Sequence, residues 1–275
     1  MANSRATSLA AIYDERSSSY DESWHPRLAR DFVTWANMQP GDAVLDLACG
    51  TGLVTCYAKN RVGAEGRVVG IDVSEGMMAR GRQRAASEGL DITFINHDVA
   101  DLSDLDLLRE GGFDWITCCS ALVLLEDSQA ALRQWSALLA PGGGIIFDVP
   151  VETAFVGGLI LERIAQDSGI TQGMLVDRLW IHSIESVRNL LLDAGLTADR
   201  VFESDTYDSR DIDASQASSV FDQCLKYTVY EAFRDPQVKE KARQLFIQEY
   251  EKALAPTGKG KEEPRLYVAI ARKAA

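Results

Sequence analysis

Over residues 26–150, short apolar runs alternate with stretches whose apolar residues recur at helical spacing. Leu28, Phe32, Val33 and Ala36 mark one face of an opening helix, with Pro26 suited to its first turn and Gln39-Pro40-Gly41 ending it. Apolar runs at 43–47, 67–71, 92–95, 113–118 and 145–149 predict five strands, with helices over 53–59, 76–87 and 128–139 between them. That rhythm implies parallel strands joined by right-handed crossovers, an α/β architecture. After Pro150 it breaks. The apolar stretch 155–160, containing Gly157-Gly158, predicts a lid-like helix within an insert at 151–182. Ser183 is placed to cap a helix over 184–194, which Gly195 stops. A sixth strand is expected at 198–204, helices at 214–233 and 236–254, and a last strand at 266–271. No composition shift marks a linker, so the chain reads as one domain: a cap (1–42), a core (43–150), the insert, a helical lid (205–264) and the last strand (265–275).

Composition narrows the function classes. A chain of 275 residues can bury a substantial core. Its net charge of −13 argues against a nucleic-acid partner, because phosphate contacts need a basic face. There is no basic opening followed by an apolar stretch, and no run of about 18 or more apolar residues, so a cytoplasmic protein without a membrane span is expected. Cys49, Cys56, Cys118, Cys119 and Cys224 form no CxxC pair and are read as structural thiols, with no metal expected.

The chemistry concentrates at strand ends. Val44-Leu45-Asp46-Leu47 runs into Ala48-Cys49-Gly50-Thr51-Gly52, a glycine turn where a ligand can approach the main chain closely. Twenty residues after Gly52, the second strand ends in Asp72-Val73-Ser74, an acid placed to accept from both hydroxyls of a ribose. That spacing also fits a nicotinamide cofactor. Against it stand the missing GxGxxG and Asp46, which suits an ammonium better than a pyrophosphate. Asp98, in Asn96-His97-Asp98-Val99, follows the third strand, where an adenine amine would be met. Pro141-Gly142-Gly143-Gly144 precedes the fifth strand.

Together these segments resemble the class I S-adenosylmethionine-dependent methyltransferases, and within them the ubiquinone/menaquinone methyltransferase-like small-molecule group. The resemblance covers about residues 26–150, the region 183–205 and the final strand. It implies a seven-stranded, mostly parallel Rossmann-like sheet with an antiparallel last strand and helical lid insertions. By that likeness the cofactor is S-adenosylmethionine. Asp46, Ala48, Gly50 and Gly52 surround its methionine end, Asp72 and Val73 its ribose, and Met77 or Met78 its adenine face. Asp98 takes the adenine amine, Val99 supplies a backbone contact, Ser120 and Ala121 border the methionine, and Tyr13 and Tyr20 cover the sulfonium. Ala48 departs from the family's usual glycine, and binding is expected to persist.

Methyl transfer mainly needs an acceptor aligned with the methyl and shielded from water. Where the family often carries a histidine pair, this chain has Val123 and Leu124, implying an apolar acceptor wall. His25 and His182 are the candidate bases; His97 is read as structural. Val220, Phe221, Cys224, Leu225, Tyr227 and Tyr230, with Phe155 and Leu159, either line an acceptor pocket or pack as helix core or a homodimer contact. The expected partner is a small, largely apolar metabolite, with oxygen as the first-choice methyl acceptor. Carbon methylation is the alternative. Use of the sulfonium without transfer is a second class of function, and a nicotinamide oxidoreductase a third.

Overall fold

The computed structural model describes residues 4–106, 112–170, 178, 180–225 and 231–274. In chain order the strands are β1 (Val44–Leu47), β2 (Val68–Asp72), β3 (Thr93–Asn96), β4 (Phe113–Cys118), β5 (Leu139–Pro150), β6 (Leu196–Glu203), β7 (Arg210–Asp213), β8 (Lys259–Glu262) and β9 (Leu266–Lys273). The helices are α1 (Ser4–Arg16), α2 (His25–Ala36), α3 (Leu53–Val62), α4 (Glu75–Glu88), α5 (Ser128–Ala137), α6 (Val156–Asp167), α7 (Ile184–Asp193), α8 (Ala217–Leu225) and α9 (Pro236–Ala253).

Seven strands form one sheet in the order β3-β2-β1-β4-β5-β9-β6. The pairs β2–β3, β1–β2, β1–β4 and β4–β5 are parallel, while β9 runs antiparallel between β5 and β6. Every residue of β1 and β2 is buried, as expected of parallel strands covered on both faces. Leu28, Phe32 and Val33 of α2 and Val54 and Ala58 of α3 cover one face, packing on Val44, Trp115 and Ile146. Leu132 and Trp135 of α5 and Val187 and Leu191 of α7 cover the other, on Leu45, Ile116 and Phe147. Chain order reverses at β1, which pairs with β2 on one side and β4 on the other. The crevice outside those strand ends is where open α/β sheets bind ligands.

A third core lies off the sheet. Ile160, Leu161 and Ala165 of α6 pack with Ala217 and Phe221 of α8 and with Phe246 and Tyr250 of α9. Phe221 and Phe246 meet at 5.4 Å between ring centroids. Asp235 caps α9 by accepting from the backbone N–H groups of Gln237 and Val238, with Pro236 at the first position. A buried pair, Arg178 Nε to Glu162 Oε2 at 2.9 Å, ties the segment before α7 to α6, and Arg178 also donates to the carbonyls of Ala154 and Phe155 ahead of that helix.

These contacts decide between the two roles open to the lid residues. Phe221 is fully buried, and Val220, Cys224 and Leu225 pack around the same helix core, while Phe155 packs on the main sheet. Tyr227 and Tyr230 lie outside the described residues. The helix expected over 214–233 is, within the described part, α8 with a 3-10 turn before it and another at Glu231–Arg234. The β7–β8 ribbon was not foreseen, because Arg-Asp-Ile-Asp and Lys-Gly-Lys-Glu carry almost no apolar alternation. Ser183 occupies the N-cap of α7, but its hydroxyl makes no capping bond.

Phe221→Ala is expected to destabilise the protein by about 3–5 kcal/mol, the range for emptying an aromatic core position. Urea denaturation reads this directly. A loss under about 1 kcal/mol would mean that the helices pack as a loose lid.

Candidate functional site

The turn after β1 is built from left-handed backbone. Ala48 has φ 55°, Gly50 φ 54° and Gly52 φ 72°. Glycine takes such angles freely, and at Gly52 it is also needed for space, since a Cβ there would come within 3.0 Å of Gly81 Cα on α4. Ala48 carries a Cβ in the same region, a conformation that costs an L-residue roughly 1–2 kcal/mol. The turn is held from the neighbouring strand. Asp72, ending β2, accepts from Gly50 N through Oδ2 and from Ser74 N through Oδ1, each at 2.8 Å. A carboxylate offers about four lone-pair directions, so two remain for hydroxyls of a ligand. Burial raises the pKa of Asp72, opposed by those same backbone bonds.

A cavity of about 950 Å³ opens at this edge. Of the candidate cofactor residues, Tyr13, Tyr20, Ala48, Gly50, Asp72, Val73, Met77, Asp98, Val99 and Ser120 line it together. Asp98 is steadied by accepting from Ala100 N at 2.9 Å. Met77 stands in the wall, whereas Met78 is fully buried behind it. The same wall holds Leu9, Leu124, Leu125, Trp180 and Leu190, the polar Glu126, Gln129, Asn189 and Asp193, and Arg5, which donates through Nε to Leu124 O. Leu124 thus faces the cavity, while Val123 is buried in the sheet core.

Four candidates are placed elsewhere. Asp46 is only 1 % exposed and accepts from the hydroxyls of Thr55 (2.5 Å) and Thr117 (2.7 Å), so it ties β1 to α3 and β4 beneath the turn instead of facing a ligand. Burial pushes its pKa up to about 6. Gly52 packs against α4. His25 is stacked between Tyr20 and Trp24, at 4.3 and 4.1 Å between ring centroids, and its Nδ1 meets Ser23 Oγ. Desolvation, and to a lesser extent Arg16, lowers its pKa to about 3, so it stays neutral. His182 is exposed and outside the cavity wall. His97 bridges Asp104 and the Asp98 carbonyl, a structural role.

The cap is fastened to the same loops. α1 lies over the cavity with Ala6, Leu9 and Tyr13 facing in. Asp14 accepts from Ser74 Oγ (2.5 Å) and Gly76 N (2.9 Å) at the start of α4. Asp21 accepts from Thr51 Oγ1 at 2.6 Å in the glycine turn and pairs with Arg84. These anchors were missed as such, although the repeated Tyr13-Asp14 and Tyr20-Asp21 was their visible signal. Arg16 lies 5.0 and 5.6 Å from the ring centroids of Tyr13 and Tyr20, so both rings already receive one cation.

Ala48→Gly is expected to stabilise the protein by at most about 1 kcal/mol, the left-handed penalty being partly offset by the greater freedom of an unfolded glycine. A second expectation concerns Asp148 on β5, which is 2 % exposed and pushed up to about 7 by burial. The groups facing it are Ser120, the thiols of Cys118 and Cys119, and Tyr207. Because its folded pKa is raised, its contribution is fully present at acid pH and is lost as pH rises from the ordinary 3.8 through about 7. Asp148→Asn should flatten that part of the stability profile in thermal melts taken across this window.

The sheet order, the glycine turn and the strand-end acids define the class I S-adenosylmethionine-dependent methyltransferase fold. Residues 44–143 match the family described as methyltransferase domain. A ubiquinone/menaquinone biosynthesis C-methyltransferase of Stenotrophomonas maltophilia is 37% identical over 139 residues, covering 50% of this chain and 53% of that protein. A demethylmenaquinone methyltransferase of Symbiobacterium thermophilum is 33% identical over 147 residues, 49% of this chain and 56% of the relative. The chain thus aligns with about half the length of these curated relatives. Among solved structures, magnesium protoporphyrin IX methyltransferase of Synechocystis with bound S-adenosylhomocysteine has a TM-score of 0.53 at 17% identity, covering 91% of this chain and 84% of that one. The [4+2]-cyclase SpnF also has a TM-score of 0.53, at 18% identity, covering 91% of this chain and 81% of that one. A fold shared with a cyclase does not by itself assign a reaction.

Proposed function

We propose that the protein transfers the methyl group of S-adenosylmethionine to a small, largely apolar acceptor, and that the receiving atom is an electron-rich ring or enol carbon. The observation that carries the reading is a single cavity whose wall holds Asp72 and Asp98 together with Leu9, Leu124, Leu125 and Trp180. Its volume of about 950 Å³ is at the upper end for small-molecule sites, room for a nucleoside cofactor and a second molecule. The residues fit the cofactor. Gly50 leaves a cradle against Met77, where a Cβ would come within 3.3 Å of the methionine methyl, and Asp72 keeps lone pairs for ribose hydroxyls. Asp98 and the Val99 backbone suit an adenine edge. The bound cofactor supplies a strongly activated methyl, and the chain's own task is alignment and exclusion of water.

The choice of carbon starts from the titratable groups of the wall. Among the described cavity-lining residues none is histidine or lysine, and Glu126, Asp127 and Asp193 are the carboxylates away from the strand-end acids. Burial raises the pKa of the phenols of Tyr13 and Tyr20 and of the thiol of Cys119, which makes them poor bases. An acceptor for this site brings its own nucleophilicity. Carboxylate oxygens and quinol-type carbons both do, and the C-methyltransferase among the aligned relatives favours the second. Oxygen, first choice from the sequence, becomes the second reading.

Isothermal titration is expected to show S-adenosylhomocysteine binding and no NAD binding. Asp72→Ala should weaken that binding about 100-fold, the loss of two charge-assisted hydrogen bonds at about 1.5 kcal/mol each. Incubation with methyl-13C cofactor and a panel of hydroquinones, enols and matched carboxylates, read by 13C NMR, should place label on carbon. Label on oxygen would move the reading to O-methylation. Binding without any transfer would leave a sulfonium-binding protein of another activity.

A further inference from the structure

Ser120, two residues after the end of β4, lines the cavity with φ 57°, in the left-handed region. A non-glycine residue stays there only when its surroundings hold it. The holder is visible. Asp148 Oδ1 accepts from Ser120 N at 2.7 Å, reaching from β5, the strand paired with β4. By strand alternation Asp148 shares the face of Ile146 and is closed in by the packing of that face. Burying a carboxylate is expensive unless something compensates it. Among the groups named above as facing it, Ser120, Cys118, Cys119 and Tyr207, none is a cation. An apolar side chain would fill the same strand position at lower cost, so the acid's presence asks for another explanation.

We propose that Asp148 is a positioning residue, which holds the backbone of Ser120 in its left-handed form and thereby shapes the wall of the cavity beside the methionine end of the cofactor. The inference rests on the reading of this cavity as an S-adenosyl site. Its logic is a strain balance. With the carboxylate present, the hydrogen bond offsets the left-handed penalty of Ser120. Without it, Ser120 relaxes to an ordinary conformation and the wall must be re-formed each time ligand binds. The penalty is then charged against affinity.

The test uses the full chain and titrates S-adenosylhomocysteine into four proteins. Asp148→Ala should bind about tenfold more weakly, the equivalent of a left-handed penalty, while its melting temperature is unchanged or higher because a buried acid is gone. Asp148→Asn, whose amide oxygen can still accept from Ser120 N, should stay within about twofold of the parent. Asp148→Ala combined with Ser120→Gly should recover most of the loss, because glycine adopts φ 57° without penalty. A merely structural role would lower stability and would not be rescued at position 120. Parent-like affinity in Asp148→Ala, or failure of Ser120→Gly to restore it, overturns the proposal. The backbone amide of Ser120, followed by NMR without ligand, gives a readout independent of the cofactor. It should shift strongly in Asp148→Ala and little in Asp148→Asn. If the parent fails to bind S-adenosylhomocysteine, the cofactor reading falls, and this amide alone decides whether Asp148 positions Ser120.

Discussion

The carboxylate of Asp72 is the constraint on which the site depends. It ends β2, yet it closes on the turn after β1 by accepting from Gly50 N and caps its own strand by accepting from Ser74 N. One side chain therefore fixes the spacing of two adjacent strand ends before any ligand arrives. A glycine turn free to sample many conformations would lose entropy on binding. Clasped by Asp72 it is already ordered, and binding is not charged for that ordering. The same burial that raises the pKa of Asp72 strengthens whatever hydrogen bonds it can still accept.

Acids recur at neighbouring strand ends with unequal jobs. Asp46 on β1 is consumed by Thr55 and Thr117, Asp72 on β2 is shared between backbone and cavity, and Asp148 on β5 is spent on the Ser120 backbone. Asp98 beyond β3 has a bond to Ala100 N and otherwise stands in the cavity wall. Access to the cavity sorts these carboxylates: Asp72 and Asp98 line it, whereas Asp46 and Asp148 do not, although Asp46 and Asp72 each accept two bonds. Position on the sheet edge is shared by all four, so it cannot make the distinction.

That explains which parts were legible from the sequence. The strands were, because a buried parallel sheet writes itself as apolar runs, and the antiparallel β9 followed from family resemblance. The glycine turn, Asp72 and Asp98 were legible because their spacing is set by the crossover geometry. Asp46 looked equivalent, and only the facing hydroxyls of Thr55 and Thr117, nine and seventy-one residues away, show that it is occupied. His25 was chosen for its chemistry, but stacking between two aromatic rings removes the proton affinity a base needs. The β7–β8 ribbon and the roles of Arg5, Trp180 and Asp148 depend on tertiary contacts that leave no periodic trace.

The division of labour between the additions to the sheet follows from where each buries its apolar surface. The helices α6, α8 and α9 satisfy one another through Phe221, Phe246 and Tyr250, so they have little left to offer a substrate. The α1 helix is different. Among its described side chains only Leu9 is buried at a core position, and the helix is held by Asp14 on Ser74 and Gly76 and by Arg5 on the Leu124 carbonyl. A helix held mainly by polar bonds at its two ends, with little apolar burial between, is released at less cost than a packed one. It also lines the cavity, through Ala6, Leu9 and Tyr13. The helix over the cavity is thus the one least committed to the core, while α6, α8 and α9 bury their apolar surface against one another.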